Sequence, residues 1–205
     1  MFTDRTDAGE RLAAALADAG VAADLVLAIP RGGLPVGRAV ADRLGAPLSV
    51  VVASKMGAPS NPELAVGAVA EDGTAWLNEG LIAELGVPDE YVERTREAEA
   101  AVAREKAERY RGGPPPEMAD KRVVVVDDGV ATGATMRACL ARVRAADPAR
   151  LVVAVPVGPA DTAAELADLA DEVVFVETPV AFRAVGAYYR DFGQVSDEAA
   201  MAYLE

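Results

Sequence analysis

Val123-Val124-Val125-Val126-Asp127-Asp128-Gly129-Val130-Ala131-Thr132-Gly133-Ala134-Thr135 is the stretch that decides the fold of this 205-residue chain. Four valines in succession do not alternate with polar residues, so they read as a strand buried on both faces. Two carboxylates end the strand. A loop of small and hydroxyl-bearing residues follows, and then Met136, Leu140 and Val143 form an i, i+4, i+7 helical stripe. Four other runs share the strand's character: Leu25–Ile29, Leu48–Ala53, Leu151–Val155 and Val173–Val176. Helical segments lie between most of them. The pattern predicts an α/β fold, a doubly wound, mainly parallel five-stranded sheet.

Other local signals place the helices. Asp7-x-x-Glu10 predicts the capped start of a first helix carrying Leu12 and Leu16. Pro35–Leu44 is helical in pattern and stops at Gly45, and Thr162-x-x-Glu165 opens a helix bearing Leu166 and Leu169. Residues 55–122 are too many for a simple crossover. Gly57–Thr74 reads as a loop with a small hairpin, Leu64–Ala70 and Thr74–Leu77. A charged helix over about Pro88–Arg111 follows, supported by Glu90→Arg94 and Glu105→Arg109 pairs and stopped by Gly112-Gly113-Pro114-Pro115-Pro116. The expected organisation is one domain over 1–205. It carries an inserted flap and long helix at about 56–117, laid over the carboxyl edge of the sheet, and a C-terminal hood at Val180–Phe192.

Composition removes much of the available chemistry. The chain has no histidine, which excludes Ser-His-Asp and Cys-His catalysis and histidine-ligated zinc. The single cysteine, Cys139, can form neither an internal disulfide nor a cysteine-rich metal site. A net charge of −13 argues against non-specific nucleic-acid binding. Lysine is scarce (Lys55, Lys106 and Lys121), as either codon bias or adaptation to high salt would make it. No apolar run is long enough to span a membrane, and the first residues lack the pattern of a signal peptide. The expected location is therefore cytoplasmic.

In open α/β sheets, ligands bind beyond the carboxyl ends of the strands. After the valine strand, the small loop, the hydroxyls of Thr132 and Thr135 and a helix N-terminus make a phosphate cradle. Asp127 and Asp128 would repel that phosphate unless they served another purpose, and accepting hydrogen bonds from a vicinal diol is one. Phosphate beside diol describes ribose 5-phosphate. A nucleotide P-loop would need lysine where Ala134 stands, and the dinucleotide fingerprint is absent. The plain alternative, two aspartates capping a turn, does not account for the hydroxyl loop opening a helix. After the first strand, Arg31-Gly32-Gly33 lets a guanidinium and backbone amides approach a diphosphate, or else simply turns the chain into the next helix. Lys55, ending the second apolar run, is a candidate for the same anion or a solvated strand-end lysine. Phe182, Tyr188 and Tyr189 are candidates to stack on an acceptor ring, with ordinary packing as their other reading. Glu63 and Glu71 are weaker candidates for acid/base roles.

Val123–Thr135 resembles the phosphoribosyl-pyrophosphate (PRPP) motif of type I phosphoribosyltransferases, departing at Gly129, where the family usually has an aliphatic residue. Pro30-Arg31-Gly32-Gly33-Leu34 resembles the family's pyrophosphate loop, and Ser54-Lys55 a basic position often found in relatives. The whole chain, from Phe2-Thr3-Asp4-Arg5 to Tyr188-Tyr189-Arg190-Asp191-Phe192, is similar to a group of predicted phosphoribosyltransferases of unassigned substrate. The resemblance implies that Asp127 and Asp128 contact the ribose hydroxyls and that Ala131, Thr132, Gly133, Ala134 and Thr135 bind the 5-phosphate. It further implies that Arg31, Gly32, Gly33 and Lys55 meet pyrophosphate, with Arg31, Lys55, Asp127 and Asp128 the catalytic set. The implied reaction belongs to nucleotide metabolism: pyrophosphate of PRPP is displaced by a nitrogenous acceptor. Mg²⁺ is held by substrate oxygens, reaching Asp127 and Asp128 through water if at all. Ala131 stands where 6-oxopurine enzymes usually carry aspartate, which argues against hypoxanthine, guanine or xanthine and leaves the acceptor open. A homodimer is the expected assembly, with no nucleic-acid or membrane partner. The rival readings are a non-catalytic PRPP or nucleotide sensor, and nucleotide phosphorolysis on the same site.

Overall fold

The valine strand divides its side chains between two layers. Val123 and Val125 lie in one apolar cluster with Leu25, Leu27, Met136, Leu140, Val143, Leu151 and Val153; Val124 and Val126 lie in another with Leu12, Leu16, Val26, Val36, Val40 and Val152. Each fully buried side chain of this size contributes roughly 1.5–3 kcal/mol, which is why Val123–Val126 carries no polar position.

A computed structural model describes all 205 residues. In chain order the elements are α1 (Arg5–Asp18), β1 (Leu25–Ala28), α2 (Gly33–Leu44), β2 (Leu48–Val50), β3 (Ala53–Ala58), β4 (Asn61–Ala70), β5 (Ala75–Leu77), α3 (Glu79–Leu85), α4 (Asp89–Arg111), β6 (Arg122–Val126), α5 (Ala134–Arg144), β7 (Arg150–Val157), α6 (Ala160–Ala167), β8 (Glu172–Glu177), a 3₁₀ turn (Val185–Tyr188) and α7 (Asp197–Ala202). The five expected strands form one parallel sheet in the order β2-β1-β6-β7-β8, with Val26 opposite Val124 and Val124 opposite Val152. β6 is central, with α1 and α2 on one face and α5 on the other. The strand order reverses beside it, so the loops after β1 and β6 open at a common crevice.

The insertion is richer than its sequence suggested. The hairpin exists as β4 and β5, but β3 joins it to make a three-stranded antiparallel sheet. The second apolar run is therefore split: β2 ends at Val50, and Ala53 to Ala58 belong to the flap rather than to the main sheet and a loop. Helix α3 was not expected, although Asn78 caps it through Leu81 N–H and Gly86 (φ +60°) ends it.

Helix α4 has the expected bounds and tethers the flap. Val92 and Ala100 pack with Met56, Val66 and Val69 of the flap, while Ala103, Ala107 and Tyr110 pack with Ala28, Val50 and Val52 of the main sheet. Three alanines along one stripe bring the helix close to both. The two expected charge pairs do not form. Arg94 lies over the Tyr91 ring and Arg109 binds Asp197, a tertiary partner that displaces the local one.

Two helix starts also differ from expectation. Asp4 caps α1 by accepting from Asp7 N–H, and Asp7 accepts from Thr3 N–H, one turn earlier than the Asp7-x-x-Glu10 reading. Pro159 precedes α6, and Thr162 turns its hydroxyl to Ala131 O at 2.9 Å instead of capping.

Glu71 and Arg111 lock the end of α4 to the flap through an ion pair at 2.7 Å, both side chains less than a tenth exposed. Removing one partner strands the other charge in the interior. Glu71→Ala is expected to cost about 3–5 kcal/mol in urea unfolding, whereas breaking the outer pair Arg38–Asp42 costs no more than about 1 kcal/mol.

Candidate functional site

At the end of β1 the chain turns through Pro30-Arg31-Gly32-Gly33. Ile29 N–H donates to Val126 O at 2.9 Å, fixing this loop against the end of β6, and the Pro30–Arg31 peptide is cis. The two glycines are required by contact. A Cβ on Gly32 would collide with an Asp128 carboxylate oxygen, and one on Gly33 would lie 2.9 Å from Val126 O and 3.1 Å from Asp127 Cα. The diphosphate-type loop and the acid pair, remote in sequence, are thus pressed against each other.

The acid pair is partly buried and each member has its own cation nearby. Asp127 accepts Asp128 N–H at 2.8 Å; burial, and then the neighbouring Asp128 charge, push its carboxyl well above the usual range. Burial also raises Asp128, opposed by Arg5, whose Nε donates to it at 2.7 Å. Arg5 is itself held by Gly193 O and lies 3.9 Å from the centre of the Phe192 ring. On the other side Lys106 of α4 donates to Pro30 O at 3.2 Å and favours the charged form of Asp127. Burial, followed by repulsion from Arg31, lowers Lys106 itself.

Beyond the pair, Asp127, Gly129, Val130, Ala131, Thr132, Gly133, Thr135, Met136 and Val185 line a cavity of about 250 Å³. Gly133 adopts φ +77° at the start of α5, and no side chain caps that helix. Its first-turn amides are therefore available to an anion, reinforced by the helix dipole. Thr162 secures the loop through Ala131 O, and the buried Arg137 behind it pairs with Glu165 and lies over Trp76.

Gly129, the departure from the family pattern, makes room for the hood. A Cβ there would fall 2.5 Å from Val185 Cγ1 and 3.1 Å from Val157 O. The hood side chain takes up the volume that an aliphatic residue at 129 would occupy.

The structure brings together Arg31, Gly32, Gly33, Asp127 and Asp128, with the 131–135 loop beside them. Lys55 lies elsewhere. It sits on flap strand β3, lines neither this cavity nor the one around Arg31, and binds Glu63 through its carboxylate (3.2 Å) and carbonyl (3.3 Å). Lys55 does share a flap face with Ala68, which packs on Ala134 and Ala138 at the start of α5. Glu63 is exposed and Glu71 is locked to Arg111, which removes Glu71 from acid/base work. Tyr189 is a packing residue: it is buried against Phe2 and Phe192, and its hydroxyl donates to Asp128 O at 2.5 Å. Phe182 and Tyr188 stack on each other at 5.5 Å, half-buried. Sequence reading missed Arg5, Lys106, Arg109 and Asp197. Lysine scarcity was the one signal pointing to Lys106.

A strand-end acid pair, a glycine turn touching it and an open helix N-terminus thus meet at the carboxyl edge of a parallel α/β sheet. Residues 3–190 match the model of the phosphoribosyl transferase domain, and the chain belongs to that family. It is 43% identical over its full length to proteins of Mycobacterium tuberculosis strains CDC 1551 and H37Rv that are provisionally named phosphoribosyl transferases, and it spans 46% of their length. Among solved structures it is similar to TT1426 from Thermus thermophilus, with 47% identity, a TM-score of 0.84, and coverage of 100% of this chain and 97% of that one. The AQ2163 protein of Aquifex aeolicus shares the fold at 13% identity and a TM-score of 0.51, over 84% of this chain and 73% of that one. No helix is long and apolar enough to cross a membrane.

Substitutions at Arg5 and Gly129 probe this geometry from opposite sides. Arg5→Gln removes the cation that opposes burial at Asp128, so the carboxyl rises further; any ligand that needs the ionised form then loses affinity at a higher pH than with the unaltered protein. Titrations from pH 5 to 9 check the direction. Gly129→Val is expected to cost about 1–3 kcal/mol by overpacking, part of it recovered by Val185→Ala in a double-mutant cycle.

Proposed function

We propose that the chain transfers the 5-phosphoribosyl group of PRPP to a nitrogenous acceptor and releases pyrophosphate. The observation that carries this reading is the contact between the Gly32-Gly33 turn and the Asp127–Asp128 pair, beside an uncapped helix N-terminus. The acid pair lies between the turn and the helix start, an arrangement that matches the order of diphosphate, ribose and phosphate along PRPP. In this reading the amides and hydroxyls of 131–135 hold the 5-phosphate, and Asp127 and Asp128 accept the ribose hydroxyls. Arg31 and the turn amides face the diphosphate. Positive charge grows at the anomeric carbon as the C–O bond to pyrophosphate breaks, and the buried acids lie where they stabilise it. Arg31 takes up the charge that moves to the leaving group, joined by Lys55 if the flap brings it in from Glu63. The acceptor nitrogen attacks the anomeric carbon, and its proton passes to solvent.

Magnesium enters through the same family likeness. No group of three or more His, Cys, Asp or Glu side chains is placed to hold an ion. Asp127 and Asp128, two hard oxygen donors side by side, are the residues that would meet the ion on the protein side, through water. When bound, the ion neutralises charge on the leaving diphosphate. The acceptor would enter under the hood near Phe182 and Tyr188, and Ala131 offers it no carboxylate.

Calorimetric titration with PRPP and Mg²⁺, followed by a pyrophosphate-release screen over bases and small amines, tests the reading. Asp128→Asn is expected to weaken PRPP by about tenfold or more through loss of a charged acceptor. Asp127→Asn should weaken it too while melting no lower than the unaltered protein. The sign follows from the raised carboxyl: the native state disfavours its ionisation at neutral pH, and a neutral amide relieves that penalty. Undiminished PRPP affinity in both variants removes the ribose assignment.

A further inference from the structure

A second cavity, of about 320 Å³, lies on the outer side of the Arg31 turn and is lined by Arg31, Lys106, Arg109, Tyr110 and Asp197 together with Val102 and Glu105. Three cations converge here from two unrelated elements. Arg31 comes from the turn after β1, and Lys106 and Arg109 lie one turn apart on the inserted helix α4. The charge that answers them belongs to the C-terminal helix. Asp197, at the start of α7, is 2.8 Å from Arg109 and 3.8 Å from Arg31 and accepts the Tyr110 hydroxyl at 2.5 Å. Those groups hold its carboxyl below the usual range, so it is a carboxylate at neutral pH. Lys106 connects this cavity to the acid pair, bonding Pro30 O of the turn while its charge acts on Asp127.

We propose that Arg31, Lys106 and Arg109 form the diphosphate seat of this protein, and that Asp197 occupies it as an internal anion which an incoming diphosphate displaces. The proposal rests on the transferase reading and deepens it by supplying residues for the leaving group that Lys55, engaged with Glu63, does not provide here. Two physical points favour exchange over a fixed structural bridge. Arg31 and Arg109 are about half exposed, with side-chain accessibilities of 43% and 57%, so an entering anion reaches them without opening the core. A diphosphate brings more charge and more acceptor oxygens than one carboxylate, and guanidinium forks bind such oxygens in pairs. The helix carrying Asp197 is short, six residues, and its Ala200 packs on the cluster that holds Tyr110. Release of the carboxylate is thus coupled to the same patch of α4 that forms the seat.

The test is calorimetry of three probes in the presence of Mg²⁺: pyrophosphate, PRPP and ribose 5-phosphate. Asp197→Asn removes the competing charge and is expected to tighten pyrophosphate and PRPP by about fivefold, the size of a half-exposed charge interaction. Ribose 5-phosphate, held by the 131–135 loop, should be unchanged. Arg109→Gln is expected to weaken pyrophosphate and PRPP by about tenfold, again sparing ribose 5-phosphate, whereas Lys106→Met, which also withdraws a charge from Asp127, weakens all three probes and pyrophosphate most. Thermal melts run alongside, because a merely structural bridge would lower the melting temperature of Asp197→Asn and weaken all three probes together. Unchanged or weakened pyrophosphate binding in Asp197→Asn overturns the displacement, and equal losses for all probes in Arg109→Gln overturn the seat. If the unaltered protein binds pyrophosphate but not ribose 5-phosphate or PRPP, the transferase reading fails while the seat stands. If it binds ribose 5-phosphate and PRPP but the variants do not discriminate, the seat alone fails.

Discussion

Two carboxylates side by side at the buried end of the central strand are the constraint around which this protein is arranged. Burial opposes the charge on each, and the Asp128 charge raises Asp127 further. A pair of this kind persists only if its surroundings supply cations, hydrogen-bond donors and space together. Arg5 supplies a cation from the first helix and Lys106 another from the insertion, while the Asp128 amide serves Asp127. Space comes from Gly32 and Gly33, where any side chain would meet the acids. The positions of the N-terminus, the insertion and the hood all follow from that local problem. Phe192 lies under Arg5, and Tyr189 donates to the Asp128 carbonyl.

The insertion reads as part of the same solution. Without α4 the first turn after β1 would face solvent, and Asp127 would lack its second cation. The alanine stripe that lets α4 lie close to the main sheet places Lys106 within 3.2 Å of Pro30 O. The buried Glu71–Arg111 pair anchors the far end of the same helix against the flap. A buried pair of this type adds little to stability over an apolar replacement, but it penalises wrong arrangements heavily. It therefore suits a helix that must hold a lysine in one position beside a turn.

The legible part of the sequence was the part governed by local pattern. Five apolar runs without alternation were strands because a doubly wound sheet buries both faces, and Val123–Thr135 displayed acids, loop and helix start in one continuous stretch. The illegible part was tertiary. Arg5 carried no signal of its own role, and Arg109 looked like half of an i, i+4 pair; each instead finds a partner far along the chain. Lys55 looked like a strand end because Val51-Val52-Ala53 continues the apolar run, yet the chain leaves the main sheet there and begins the flap. For Tyr189, stacking on an acceptor ring and ordinary packing were equally open, because the Tyr188-Tyr189 pair lies in an aromatic-bearing stretch. Its burial depends on Phe2, at the other end of the molecule, through the Phe2–Tyr189 bridge.

Gly129 shows how such tertiary exchange bears on function. Within the motif it looks like a lost side chain, a weakening of the apolar surface beside the acid pair. In the fold the surface is restored by Val185, which belongs to the hood. The wall of the cavity beside the acid pair is thereby moved from the strand-end loop to a segment carried by a single 3₁₀ turn. A wall on the loop is fixed with the phosphate cradle, whereas a wall on the hood moves whenever the hood does. What fixes that wall is therefore the packing of Phe2, Tyr189 and Phe192, which holds the hood against the first helix.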